Sequence, residues 1–393
     1  MVLNKSPAMI ARKSTARRDA LGVRCANHDS ELDAGASWDY AGRVKVGAAT
    51  RTRADVVRAD RMRLDRALSQ PEALIAAYEE SRGVRTDRRG NVFLEAVIPD
   101  VPSFAVADSG VKTSGRMMTS QVDGDDARSP LPGVLAAMQV TAAIEGDLCG
   151  APGPDPRTIR THTKNYPWRT FCRLLEDSRS GLRMVGSGVF VGPRHVLTAA
   201  HNVRNDGYNI PTLVYPGGQF AENGVWEVDE VYFLKGWLDT EDPIYDYALL
   251  VLVEKGSYSP GCLSYGYHSS NSFFRNDYIW RMGFPADSCG CYDGPEPGIY
   301  QAPWHKCGGR LYGNKFKIRY VKKYLFGGDT INQSGESGSP LYRYNGGNRV
   351  VYGVHIAGDA KFLLAKRLTE GSFNALNRWI ARHPHSYWGT ECH

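Results

Sequence analysis

The chain has 393 residues, with 48 Lys and Arg against 42 Asp and Glu, for a net charge of +6. Hydrophobic residues make up 42% and charged residues 23%, which suits a packed core and excludes global disorder. No apolar run approaches the roughly 18–20 residues that a membrane-crossing helix needs, and the mild positive charge permits an acidic partner without demanding one.

Residues 1–150 read as an N-terminal extension, partly helical and partly disordered. Eleven arginines fall between Arg12 and Arg66 with acids interleaved. The run 54–80 predicts helix, with Ser69 and Glu72 as a capping box and Pro71 in a first turn. Residues 107–160 are rich in Gly, Ser, Asp and Pro, and PGPDPR at 152–157 reads as a linker. Three roles stay open for this part: a solvated tail, a propeptide, or a basic nucleic-acid arm. The interleaved acids disfavour the last.

From about residue 166 short β runs alternate with turns: GSGVFVG (186–192), HVLTAAH (195–201), YALLVLV (247–253), YIWRMGF (278–284), KFKIRYV (315–321) and RVVYGVHI (349–356). Regular short strands, with Gly 42 and Tyr 21, predict an all-β sandwich or barrel. SFNALNRWIARH (372–383) predicts a final amphipathic helix opening on Ser372. The eight cysteines, at 25, 149, 172, 262, 289, 291, 307 and 392, form no C-x-x-C pair. A metal site is not expected, whereas disulfides and an oxidising compartment are. The first 23 residues show no apolar stretch of the kind that marks a standard secretory signal.

Three segments carry candidate chemistry. In GVFVGPRHVLTAAHNV, two strands deliver His201 just past a turn of small residues; His195 falls inside the strand. In DPIYDYALLVLVE, Asp246 stands at the mouth of an apolar strand, where a carboxylate can orient an imidazole; Asp239 and Asp242 lie farther from that run. In QSGESGSPLY, Ser337 lies between Gly335-Glu336 and Gly338. Gly335 can adopt angles that turn the N–H groups of residues 335 and 337 toward one developing oxyanion. Ser334 and Ser339 lack the paired glycines. The order His201, Asp246, Ser337 disfavours an α/β-hydrolase, which runs Ser, Asp, His.

TAAH, DYALL and GESGSP resemble the three signatures of chymotrypsin-fold serine proteases over roughly residues 150–393. TAAHNV without a following cysteine, DPRTIRTHTKNYPWR (155–169) and GVHIAG (353–358) are most similar to the glutamyl endopeptidase branch. The resemblance implies two packed six-stranded antiparallel β-barrels with a C-terminal helix, spanning 151–393. It also implies a secreted zymogen that needs no cofactor and acts as a monomer on protein or peptide substrates, with no nucleic acid or membrane partner. His201, Asp246 and Ser337 would be the triad, and the backbone of Gly335 and Ser337 the oxyanion hole. His355 would bind an acidic side chain at the cleaved position, helped by Asn332, which stands where the branch usually has a hydroxyl residue. Asn332 also opens a glycosylation sequon expected to stay unmodified so close to the nucleophile. Removal of the extension is expected at a bond between about 147 and 160. The competing expectations are a catalytically silent protease-fold binding protein, and a nucleic-acid or membrane-surface binder using the basic first part.

Overall fold

The structure, a computed structural model, describes residues 38–43, 45–46, 53–69, 82–95 and 157–387, except 179–180, 206–207, 210–211, 219–223, 276, 286–309, 346 and 360. Trp38–His393 form one compact unit.

The chain is built mainly of strands. The first sheet takes β1 (Trp38–Arg43), β2 (Gly83–Asp87), β3 (Asn91–Glu95), β5 (Phe171–Ser178), β6 (Gly181–Gly192), β7 (His195–Thr198), β8 (Thr212–Pro216), β9 (Trp226–Leu234) and β10 (Ala248–Leu252). Its order is β1-β3-β2-β9-β8-β5-β6-β7-β10, and β9 also pairs with β10, which closes the last six strands into a barrel. The pattern explains the closure. ALLVL in β10 is buried at all its positions, as a continuous apolar run walled on both faces must be.

The second sheet holds β4 (Thr158–Arg160), β11 (Tyr278–Gly283), β12 (Leu311–Lys317), β13 (Leu325–Asp329), β14 (Pro340–Asn345), β15 (Asn348–Gly358) and β16 (Phe362–Arg367). From β13 the path is β16, β15, β14, β11, β12, β4. Here β12 and β13 come back side by side, with Arg319 N–H donating to Gly327 O at 2.9 Å, so six strands wrap without a full ladder across the seam. The fold is chymotrypsin-like, as expected, with helix α2 (Lys235–Thr240) between β9 and β10 and the final helix α3 (Glu370–Ala381).

Two local expectations need correction, at the cap of α3 and at Cys172. Thr369, not Ser372, caps α3: the Ser372 N–H donates to Thr369 Oγ1 at 3.3 Å, because a cap accepts from the third residue of the helix. The first helix, α1, runs Arg53–Ser69. Its last residue, Ser69, donates its hydroxyl to Arg66 O at 3.2 Å, and the capping box expected there cannot be followed past it. Glu72 and Pro71 lie outside the described residues. Cys172 is a free thiol inside the first barrel, where burial pushes its pKa up, so it joins no disulfide. Cys262 is disulfide-bonded, and the other six cysteines lie outside the described residues.

Residues 38–43, 53–69 and 82–95, read from sequence as part of an extension, are built into this unit. β2 pairs with β9 from Gly83↔Leu234 to Asp87↔Glu230, and β3 and β1 follow outward. Leu64 and Ala67 of α1 are buried in the same apolar core as both barrels.

Candidate active site

Residues 199–202 leave β7 in a short 3-10 turn that carries His201. Across from it, β10 pairs with β7, Ala248 opposite Thr198, which brings the segment before β10 to the same end of the barrel. Asp246 sits there, fully buried. Its Oδ2 lies 2.6 Å from His201 Nδ1, and its Oδ1 accepts the His201 backbone N–H at 3.0 Å. One carboxylate thus fixes the ring and the main chain of one histidine. With its proton on Nδ1, the imidazole presents Nε2 as a base. Asp242, by contrast, caps the preceding turn by accepting the Ile244 N–H. The ring of Trp237 in α2 covers the imidazole at 6.5 Å between centroids.

Ser337 reaches this point from the second sheet through a lattice of hydrogen bonds. Ser187 N–H donates to Ser337 O at 2.7 Å, and Asn202 Nδ2, one residue past the histidine, donates to the same oxygen at 2.9 Å. Ser187 Oγ donates to Gly335 O at 2.8 Å, and Thr198 Oγ1 donates to Ser187 O at 2.7 Å. The turn therefore hangs on the first barrel. Gly335 and Gly338 have φ of 87° and 86°, a region only glycine occupies freely. A Cβ on Gly338 would also stand 2.1 Å from Ser187 O. Among the described residues the amides of Gly335 and Ser337 donate to no acceptor, which leaves two adjacent N–H groups for an oxyanion.

Beneath the turn lies a charged cluster that the sequence reading did not anticipate. Glu336, fully buried, takes Arg157 Nη1 at 3.2 Å and Arg281 Nη2 at 3.1 Å on Oε1, while Oε2 accepts the Gln333 N–H at 2.8 Å. Arg157 also donates to Gln333 Oε1 at 2.8 Å, and Arg281 to Ile331 O at 2.9 Å. A carboxylate held this way pins the peptide plane next to Ser337 and cannot turn outward without stranding charge. Arg281→Met is expected to destabilise the fold by about 3–5 kcal/mol and to lower kcat by about 10²-fold through loss of the amide geometry. Urea denaturation and steady-state kinetics check this; wild-type values in both would remove the cluster from the argument.

His355 is buried, its Nδ1–H donating to Glu336 O at 2.9 Å. Burial first, then the charge of Arg281, holds its pKa well below the ordinary histidine value. Asn332 is also buried, with an unpaired Oδ1 and with Nδ2 2.7 Å from where a Cβ on Gly358 would stand. The two expected pocket residues therefore flank one strand end, beside the Ser337 turn. Ser339 Oγ is buried against Gly283 and has no catalytic exposure.

A family model described as Trypsin matches residues 158–374. The chain is 27% identical over 234 residues to "Extracellular metalloprotease" of Bacillus subtilis (strain 168), covering 58% of this chain and 68% of that one. Among the described residues no group of three or more His, Cys, Asp or Glu is placed to hold a metal ion. Two solved structures are similar more distantly. A Glu endopeptidase in complex with MPD is 21% identical, with a TM-score of 0.46, over 58% of this chain and 97% of that one. A thermostable serine protease, AL20, from an extremophilic microorganism is 18% identical, with a TM-score of 0.42, over 54% and 96%.

Proposed function

The chain belongs to the trypsin family and is a serine-type endopeptidase acting on protein or peptide substrates, and on that premise we propose that His201, Asp246 and Ser337 are its triad. One observation carries this reading: the doubly held His201–Asp246 pair beside a glycine-flanked serine with two unused amides. Ser337 Oγ attacks the scissile carbonyl while His201 Nε2 takes its proton. The oxyanion then rests on the N–H groups of Gly335 and Ser337. His201 returns the proton to the leaving amine, and water hydrolyses the acyl-enzyme by the same groups in reverse. Labelling with a fluorophosphonate, followed by peptide mapping, tests this. The adduct is expected on Ser337, and an adduct elsewhere, or none, would overturn the assignment and favour a silent binding protein.

His355 and Asn332 would line the pocket for the side chain before the cleaved bond, with a preference for Glu or Asp. Free His355 is uncharged at neutral pH because its pKa is depressed. An arriving carboxylate favours the imidazolium, so binding takes up a proton. The sign follows: the ratio of kcat/KM for a Glu peptide to that for its Gln twin should rise as pH falls, by up to about tenfold per pH unit. The ratio cancels the titration of the catalytic groups. His355→Leu should flatten it. A flat wild-type ratio, or a preference for Lys or Arg, would exclude this pocket role.

The reading extends to a secreted zymogen, in keeping with the B. subtilis relative, which is described as extracellular. Arg157 is buried on Glu336 and β4 is paired to β12, so cutting at Arg157 or Arg160 would dismantle the site's support. Within the expected window we therefore propose the processed bond at 147–156, outside the described residues.

A further inference from the structure

Helix α1 has a buried stripe and an exposed face. Leu64 and Ala67 are buried at i and i+3, Leu68 packs partly beside them, and Met62 on the other side is 66% exposed. The helix has a further prop in the Arg61–Asp65 pair at 3.0 Å, one turn apart. What the stripe touches gives the helix its interest.

On the first-barrel side, α1 lies against the turn 243–245 that immediately precedes Asp246. Arg66 Nη1 donates to Thr240 O at 2.8 Å, and Arg66 Nη2 stands 3.8 Å from Asp242. Thr240 ends α2, the helix whose Trp237 covers the His201 ring. On the other side, α1 lies against β15 of the second sheet, and Arg61 Nη1 stands 3.8 Å from Asp359, the residue after that strand. The helix therefore spans from one half of the molecule to the other.

The part of β15 beside it is chemically open. β14 pairs with β15 only as far as Pro340↔Val354. From there to Gly358, β15 has β16 on one edge and no strand among the described residues on the other. This edge begins beside the nucleophile turn, since Gly338 N–H donates to His355 O at 2.7 Å. An extended peptide whose carbonyl sits at Ser337 would add to it as a strand. A helix about 10 Å thick, anchored at Thr240 on one side and at Asp359 just past this edge on the other, would compete with such a strand for the space.

We infer that α1 is an autoinhibitory element that covers the acyl side of the cleft, while leaving Ser337 reachable by small reagents. It rests on the serine-endopeptidase reading. The helix is tethered on both sides by chain: β1 precedes it, and β2 and β3, which follow it, are paired into the barrel wall through β9. A single cut at 147–156 would leave these strands in place by their hydrogen bonds. Release of α1 therefore requires either its undocking or a second cut in the segments that flank it.

The test compares full-length wild type with Arg61→Glu/Arg66→Glu and, separately, Leu64→Glu. The double variant sets like charges against Asp359 and Asp242 at partly exposed positions and does not disturb the core. Leu64→Glu undocks the helix from its apolar side. Three quantities are read on each protein: the rate of fluorophosphonate labelling, kcat/KM for a single-residue ester, and kcat/KM for a peptide extending four residues before the cleaved bond. The peptide-to-ester ratio should rise at least tenfold in the double variant, with the labelling rate within twofold of wild type. An unchanged ratio in the double variant would overturn the occlusion, whatever the folding of Leu64→Glu. Absence of labelling in wild type and variants alike would instead sink the serine reading on which the inference stands.

Discussion

Ser337→Ala is expected to lower kcat by about 10⁶-fold, to within the residual rate that the oxyanion amides and substrate binding supply unaided. The loss is that large because His201 and Asp246 act only through the hydroxyl whose proton they take. Folding should be unaffected. The contacts that hold the turn use Ser337 O, and an alanine keeps that carbonyl for Ser187 N–H and Asn202 Nδ2. Unfolding free energies of the two proteins from urea denaturation should therefore agree within about 0.5 kcal/mol. Substrate KM should change little, since the missing atom bonds only as the reaction proceeds. Peptidase activity in highly purified Ser337→Ala within a hundredfold of wild type would show that another group is the nucleophile.

Much of this site was legible because its signals are local. TAAH places a histidine after a tight turn of small residues, and the acid before ALLVL must lie where a buried strand begins. GESGS needs glycine at its left-handed positions, and Gly335 and Gly338 do have positive φ. The strands were legible too, since short apolar runs between Gly/Pro turns have few other structures open to them. What escaped is non-local. Arg157 lies 179 residues before Glu336 and read as the end of a linker, yet its side chain is 3% exposed. Nothing in PGPDPR signals a buried charge, because the partner that neutralises it is supplied by another part of the chain. Ser187 and Asn202 sit in motifs read for other residues, but together they suspend the Ser337 turn. The strands at 38–95 were missed for a related reason. Their pairing onto β9 depends on an edge created by residues 226–234, and a run such as GVRTD carries no strong strand pattern by itself. Residue type and spacing announced the chemistry, while the supports that hold it in place came from pairings across long sequence separations.

Asp246→Asn is expected to cost about 10⁴ in kcat with the fold intact. The reason lies in which atoms face the imidazole. In the native site one carboxylate oxygen takes the His201 main-chain N–H at 3.0 Å and the other faces Nδ1 at 2.6 Å, so both positions call for an acceptor. Asparagine has the same shape but only one acceptor. If its oxygen stays on the backbone amide, its NH₂ faces Nδ1 and selects the tautomer with the proton on Nε2. That tautomer points a proton at Ser337 and cannot accept another. If the amide flips, the NH₂ meets the His201 N–H, two donors oppose each other in a fully buried site, and the turn carrying the histidine must shift. The first arrangement costs catalysis alone, whereas the second adds a penalty of roughly 1–3 kcal/mol for an unsatisfied buried group. Stability separates them: a native urea midpoint with the large loss in kcat identifies the tautomer effect, and a lowered midpoint identifies the flip. Fluorophosphonate labelling should slow in parallel with kcat, since it needs the same proton removed from the same hydroxyl. Should Asp246→Asn keep kcat within tenfold of wild type, Asp246 would be a structural anchor for the His201 main chain, and the orientation of the imidazole would have to come from elsewhere.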